Sequence, residues 1–115
     1  MGYDEKQANG VREALIDATN VSEKPMFGGL CFMVDDKLCI CVRNADLLCR
    51  VGPEEFETAL EKNGASMMWS GNRSMKGYVY VEGDALRNGK DFAYWIDTSL
   101  TYNKIAKPAK RKSKQ

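Results

Sequence analysis

The chain has 115 residues and a mass of 12.9 kDa, 43% of them hydrophobic and 29% charged. That is the size of one domain around one core, with no room for a second full domain, and the composition is that of a folding chain rather than a disordered one. Seventeen Lys and Arg stand against sixteen Asp and Glu, and there is no histidine, which removes the commonest general base and with it Ser-His and Cys-His activation of a nucleophile.

In chain order, Asp4 and Gln7 form a capping box ahead of Ala8, Val11, Leu15 and Ala18 at helical spacing, which predicts a first helix from about Asp4 to Asn20. A loop to Pro25 ends it. Three apolar runs follow, Met26 to Val34, Leu38 to Val42 and Leu47 to Val51, separated by Asp35-Asp36-Lys37 and by Arg43 to Asp46. This is the pattern of an antiparallel meander. With Val34 opposite Leu38, Phe32 opposite Ile40 and Leu30 opposite Val42, one sheet face is continuously aliphatic, and the other carries Cys31, Met33, Cys39 and Cys41.

Gly52-Pro53-Glu54-Glu55 starts a second helix and Lys62-Asn63-Gly64 stops it. Met67-Met68-Trp69 and Tyr78 to Val81 read as strands on either side of the polar turn Ser70 to Ser74. Asn88 and Asp91 then cap a last helix carrying Phe92, Trp95, Ile96 and Leu100. The expected fold is α+β, a two-layer sandwich on an antiparallel sheet, in the order α-β-β-β-α-β-β-α.

Few of the reactive residues group into a site. Glu54, Glu55 and Glu57 follow Pro53, where the helix dipole accounts for them, and Asp35-Asp36 suits a hairpin turn. Gly28-Gly29 and Gly71 match neither phosphate-loop pattern. Cys31, Cys39, Cys41 and Cys49 all lie in apolar runs and read as reduced, buried thiols. Cys39 and Cys41 share a strand face in a regular strand, and Cys31 opposes Cys41 if the hairpin centres on Asp36, which leaves open a redox or zinc sensor. Zinc is disfavoured by the absence of a CxxC knuckle and of histidine. No cofactor, no metal and no enzymatic activity are expected. No window approaches the roughly 18 to 20 apolar residues of a membrane span, and the N-terminus lacks a basic-then-apolar signal, so the expectation is a cytoplasmic protein without membrane contact.

Three segments, Pro25 to Val34 (PMFGGLCFMV), Leu48 to Pro53 (LCRVGP) and Met75 to Val81 (MKGYVYV), resemble the N-terminal domain of the TfoX/Sxy competence regulators. The resemblance runs from about Pro25 to Leu100 and is most specific at Met26 to Gly29 and at Met75 to Val81. It implies a fold similar to secretion chaperones and a cytoplasmic role in transcriptional control of DNA-uptake genes, alongside the cyclic-AMP receptor protein. Full-length regulators of this kind carry a second, helical domain that has no counterpart before Gln115. The family brings no established catalytic residues.

The last twelve residues hold Lys104, Lys107, Lys110, Arg111, Lys112 and Lys114 and no acid, whereas residues 1–103 carry a net charge of −5. The division expected is a domain over 1–103 and a basic, disordered tail over 104–115. Such a tail either neutralises phosphates as a nucleic-acid arm without reading sequence, or keeps the chain soluble. The acidic body points instead to a protein partner, a transcription factor or a second copy. Candidate contacts are Arg50, Trp69, Arg73 and Lys76, since Trp and Arg are enriched at interface hot spots. Each also has a structural reading, Trp69 as core and Arg50 in a surface ion pair.

Overall fold

The computed structural model describes residues 2–18, 20–26, 28–70 and 72–106. Asp4 caps helix α1 (Glu5–Ala14), its carboxylate accepting from the Gln7 amide at 2.9 Å. The Gln7 side chain does not complete the box but donates to the carbonyl of Ala45, 2.6 Å away, and so ties the helix to a distant turn. The helix stops short of the expected Asn20. Residues 15–18 form tight turns, with Ile16 N–H bonding Glu13 and Ala18 N–H bonding Leu15, and Asn20 adopts φ +50° to reverse the chain, a conformation Asn tolerates better than most residues.

The chain then enters an additional strand, β1 (Val21–Met26). Its sequence, VSEKPM, has no alternation to announce it, because it lies at the sheet edge with its four central residues exposed, the one place where Pro25 removes no ladder bond that is needed. The order is therefore α-β-β-β-β-α-β-β-α, with one strand more than the pattern predicts and a 3-10 turn (Gly83–Leu86) before the last helix. Strands β2 (Gly29–Val34), β3 (Lys37–Arg43), β4 (Asp46–Arg50), β5 (Ala65–Ser70) and β6 (Arg73–Val81) complete one antiparallel sheet in the order β1-β2-β3-β4-β6-β5. The α+β class is thus as expected.

Asp35 and Asp36, at φ +54° and +64°, make the two-residue β2–β3 turn, the left-handed pair that matches strand twist. Leu30 opposes Val42 and Phe32 opposes Ile40, but the register slips after Phe32, so that Met33 opposes Leu38 and Val34 opposes Lys37. β3 carries one extra residue at this bulge, and the extra residue turns Cys39 onto the same side as Ile40. Cys39 therefore joins the main core while Cys41 stays on the other face. The shared face expected for Cys39 and Cys41 does not form, and with it goes the three-thiol zinc or redox site.

The main core lies between the sheet and the helices. Ala8 and Val11 come from α1, Leu15 from the turn that follows it, Phe56 and Ala59 from helix α2 (Phe56–Leu60), and Trp95 and Ile96 from helix α3 (Gly89–Asn103), against Phe32, Ile40, Val42, Leu47, Val79 and Val81. α2 is only five residues long, since Pro53 to Glu55 form a turn and the chain leaves through tight turns at Glu61 and Lys62. α3 is capped by the Asn88 side chain, as expected, and its far end is fixed by the buried Asn103, whose amide donates to Val34 and whose carbonyl accepts from Lys37. A second, smaller cluster of Cys31, Cys41 and Leu48, flanked by Met26, Leu38, Met68 and Tyr78, is built from strand residues alone on the opposite face.

Candidate interaction surface

The β5–β6 hairpin gathers three of the four candidate residues. Ser70 opposes Arg73 and Trp69 opposes Ser74, which places Trp69 and Arg73 at neighbouring register positions at the hairpin end, on opposite faces of the ladder. Trp69 is 56% exposed and Met67, two residues earlier on the same strand, 39% exposed; the intervening Met68 instead packs against the second cluster. Trp69 is thus a surface side chain, not the core residue that its type favours. Arg73 and Lys76 are also exposed, and among the described residues neither forms an ion pair.

A kink in β6 sets this arrangement. The register between the two strands breaks between Met67 and Trp69, and opposite the break Gly77 sits at φ +91°, a region that side chains with a Cβ rarely enter. Its carbonyl accepts two amides at once, Val51 at 2.8 Å and Gly52 at 3.1 Å. The end of β4 therefore holds the kink in place, and the outer part of the hairpin, with Trp69 and Arg73, leaves the line of the inner ladder. Deeper in, the Tyr80 hydroxyl donates to Asp46 at 2.6 Å, and Asp46 also accepts from the Gly83 amide. Burial first, and this hydrogen bond second, push the Tyr80 phenol up to about 12.

Arg50 stands apart from the hairpin end. It pairs with Tyr78 across β4 and β6 and is half-buried, its guanidinium 5.7 Å from the Tyr78 ring and 5.5 Å from that of Tyr102 on α3. That geometry is a cation held over two aromatic faces, and it joins sheet to helix. Tyr102 in turn packs where Gly52, at φ +89°, has no side chain. Lys104, at the C-terminal cap of α3, is exposed. The other tail candidates, Lys107, Lys110, Arg111, Lys112 and Lys114, lie outside the described residues.

One concavity was not foreseen. Between the turn at Pro53 to Glu55 and α3 lies a groove of about 510 Å³ lined by Val51, Glu54, Glu55, Asp97, Tyr102 and Ile105, among others. Ile105 is 75% exposed, and Glu55 accepts from the Tyr94 hydroxyl at 2.9 Å. The glutamates read from sequence as helix-start residues, and their distance from Asp97 along the chain concealed the shared wall.

Among the described residues no three His, Cys, Asp or Glu side chains come together as a metal site, and no helix is long and apolar enough to cross a membrane. A search of curated proteins and a search of solved structures each return no match. The family model of the TfoX N-terminal domain matches residues 13–102, which takes in all six strands, α2 and nearly all of α3. By that match, over most of its length, the chain belongs to the TfoX N-terminal domain family.

Proposed function

We propose that this chain is a non-enzymatic interaction domain that acts in regulation by docking a protein partner on the β5–β6 hairpin. The observation that carries the reading is Trp69, 56% exposed on an edge strand that also exposes Met67, close to the turn that carries Arg73. An edge strand that exposes a large rigid side chain which could have been buried, exposes a methionine as well, and leads into a turn carrying an arginine has the composition of a binding hot spot. Edge strands also offer unpaired backbone groups to an incoming chain. Family membership supports a regulatory role, in the cytoplasm and directed at transcription, with a transcription factor or a second copy as the partner.

The test is capture of interacting proteins by the tagged full chain and by a Trp69→Ala/Arg73→Ala variant, with sedimentation of each alone to detect self-association. Loss in the variant of a defined partner, or of the dimer, with an unchanged melting temperature supports the reading. Equal capture by both proteins moves the contact away from this hairpin.

A further inference from the structure

All four cysteines are buried, but only two of them meet. Cys31 on β2 and Cys41 on β3 are directly opposed in the ladder, and their sulfur atoms lie 2.7 Å apart. Non-bonded heavy atoms rest at about 3.5 Å or more, and an S–S bond is about 2.05 Å long. Opposed residues of an antiparallel pair have Cα atoms about 4.5 to 5.5 Å apart, inside the span of about 4.4 to 6.8 Å that a disulfide bridges. Leu30 opposite Val42 and Phe32 opposite Ile40 hold the register on both sides. Bonding the two sulfurs therefore asks at most a small adjustment of the strands, which draws the two Cβ atoms slightly closer.

The surroundings separate this pair from the other two thiols. Cys39 and Cys49 belong to the core under the helices, where burial pushes each up to about 12. Cys31 and Cys41 lie on the face without helices, under the half-buried side chains of Met26, Leu38, Met68 and Tyr78. Displacing a methionine opens a path for a small molecule at far less cost than lifting a helix. The two thiols also differ from each other. The hydrogen bond between them holds Cys31 below its ordinary range and pushes Cys41 up, which makes Cys31 the better thiolate and Cys41 the reserve of the proton.

We propose that Cys31 and Cys41 form a cross-strand dithiol that hydrogen peroxide converts to a disulfide within the folded domain, so that this face of the sheet is a site of reversible oxidative modification. The Cys31 thiolate attacks one peroxide oxygen, the O–O bond breaks, and Cys31 becomes a sulfenic acid as hydroxide leaves. Cys41 sulfur then attacks the Cys31 sulfur, the S–O bond breaks, and the hydroxyl departs with the Cys41 proton as water. In sum two thiols and one peroxide give one disulfide and two waters. A small dithiol reductant reverses the change by thiol–disulfide exchange.

The experiment uses the reduced full chain, exposed to hydrogen peroxide in native buffer, quenched, denatured and alkylated with N-ethylmaleimide. The expected product has lost two hydrogen atoms and carries two maleimides instead of four, with the link mapped by proteolysis to Cys31 and Cys41. It forms at least about tenfold faster than in the same chain unfolded in urea, since the folded strands supply the proximity. Cys41→Ala halts at a Cys31 sulfenic acid, read as a dimedone adduct. Four maleimides on the treated wild type, a link between any other pair, or equal rates in the folded and unfolded chain would each overturn the proposal, and none of these readouts depends on a variant folding.

Discussion

Arg12 and Glu23 meet through two parallel hydrogen bonds, Nε to Oε2 at 2.7 Å and Nη2 to Oε1 at 2.8 Å, joining α1 to the edge strand β1. The guanidinium also lies 5.8 Å from the Phe32 ring, so it lies near the end of the core it helps to close. The Arg12 hydrogen bond holds the Glu23 carboxyl below its usual value. A depressed folded pKa stabilises the fold above the unfolded pKa of about 4.3, and the contribution is lost as pH falls through the folded value. Both side chains are more than a third exposed or close to it, at 43% and 34%, so solvent screening limits the gain to about 0.5 kcal/mol. Urea unfolding of wild type and Glu23→Gln at pH 7 and pH 3 should show a difference at pH 7 that narrows at pH 3.

The core thiols respond at the other end of the pH scale. Cys39 and Cys49 are held up to about 12 by burial, with the Arg50 charge and the Ser99 hydroxyl respectively offsetting part of the effect. Free thiols ionise near 8.5. Above that pH the unfolded chain releases protons that the folded chain keeps, so stability is present in full below about 8.5 and is lost as pH rises toward 12, at up to about 1.4 kcal/mol per pH unit for each thiol. The urea midpoint should fall between pH 8.5 and 10, and less steeply in Cys39→Ala. Both thiols should resist a disulfide dye at pH 8 until urea is added.

Gly52→Ala is expected to destabilise by about 2 to 3 kcal/mol, because the residue holds φ +89° and the Tyr102 ring occupies the place of a Cβ. The displaced ring would also leave Arg50. Thermal unfolding measures the loss, and Gly89→Ala, where a Cβ meets nothing within 4 Å, is the control that should stay within about 0.5 kcal/mol or gain stability.

The tail can be tested by its salt dependence. A chain ending at Ala106 keeps the buried Ala106 and its bond to Tyr102 while removing Lys107, Lys110, Arg111, Lys112 and Lys114. If these five charges contact phosphates, duplex DNA should bind the full chain with a log-log salt slope of about −4.5 and should not bind the shortened one. Absence of binding by the full chain leaves solubility as the tail's contribution.

Much of the fold was legible because its signals are local. The Asp4 and Asn88 caps, the Asp35-Asp36 turn and the pairing of Phe32 with Ile40 all stand where the sequence predicts them. β1 was not legible, since an exposed edge strand needs no apolar alternation and Pro25 argues against a strand anywhere else. Nor was the bulge that turns Cys39 inward, because one extra residue changes the face of a side chain without changing the composition. Of the candidate surface, residue type alone selected Trp69, Arg73 and Lys76, but only the fold shows Trp69 exposed and sets it beyond the register break at Gly77, next to the turn that carries Arg73. The acidic groove required Asp97 to be brought to Glu54 and Glu55 by folding.

The two borders of the sheet are unlike. β1 displays Glu23, Lys24 and Pro25, two charges and a residue with no amide hydrogen, whereas β5 displays Met67 and Trp69. Head-to-tail stacking of copies into a fibre would need β5 of one molecule to zip onto β1 of the next, and β1 is chemically a poor receiver. Two β5 strands can lie side by side about a two-fold axis and leave nothing sticky behind. If the proposed partner is a second copy, growth along the sheet would be self-terminating: a molecule with one receptive border would join a single neighbour, without the risk of polymerisation that an open sheet ordinarily carries.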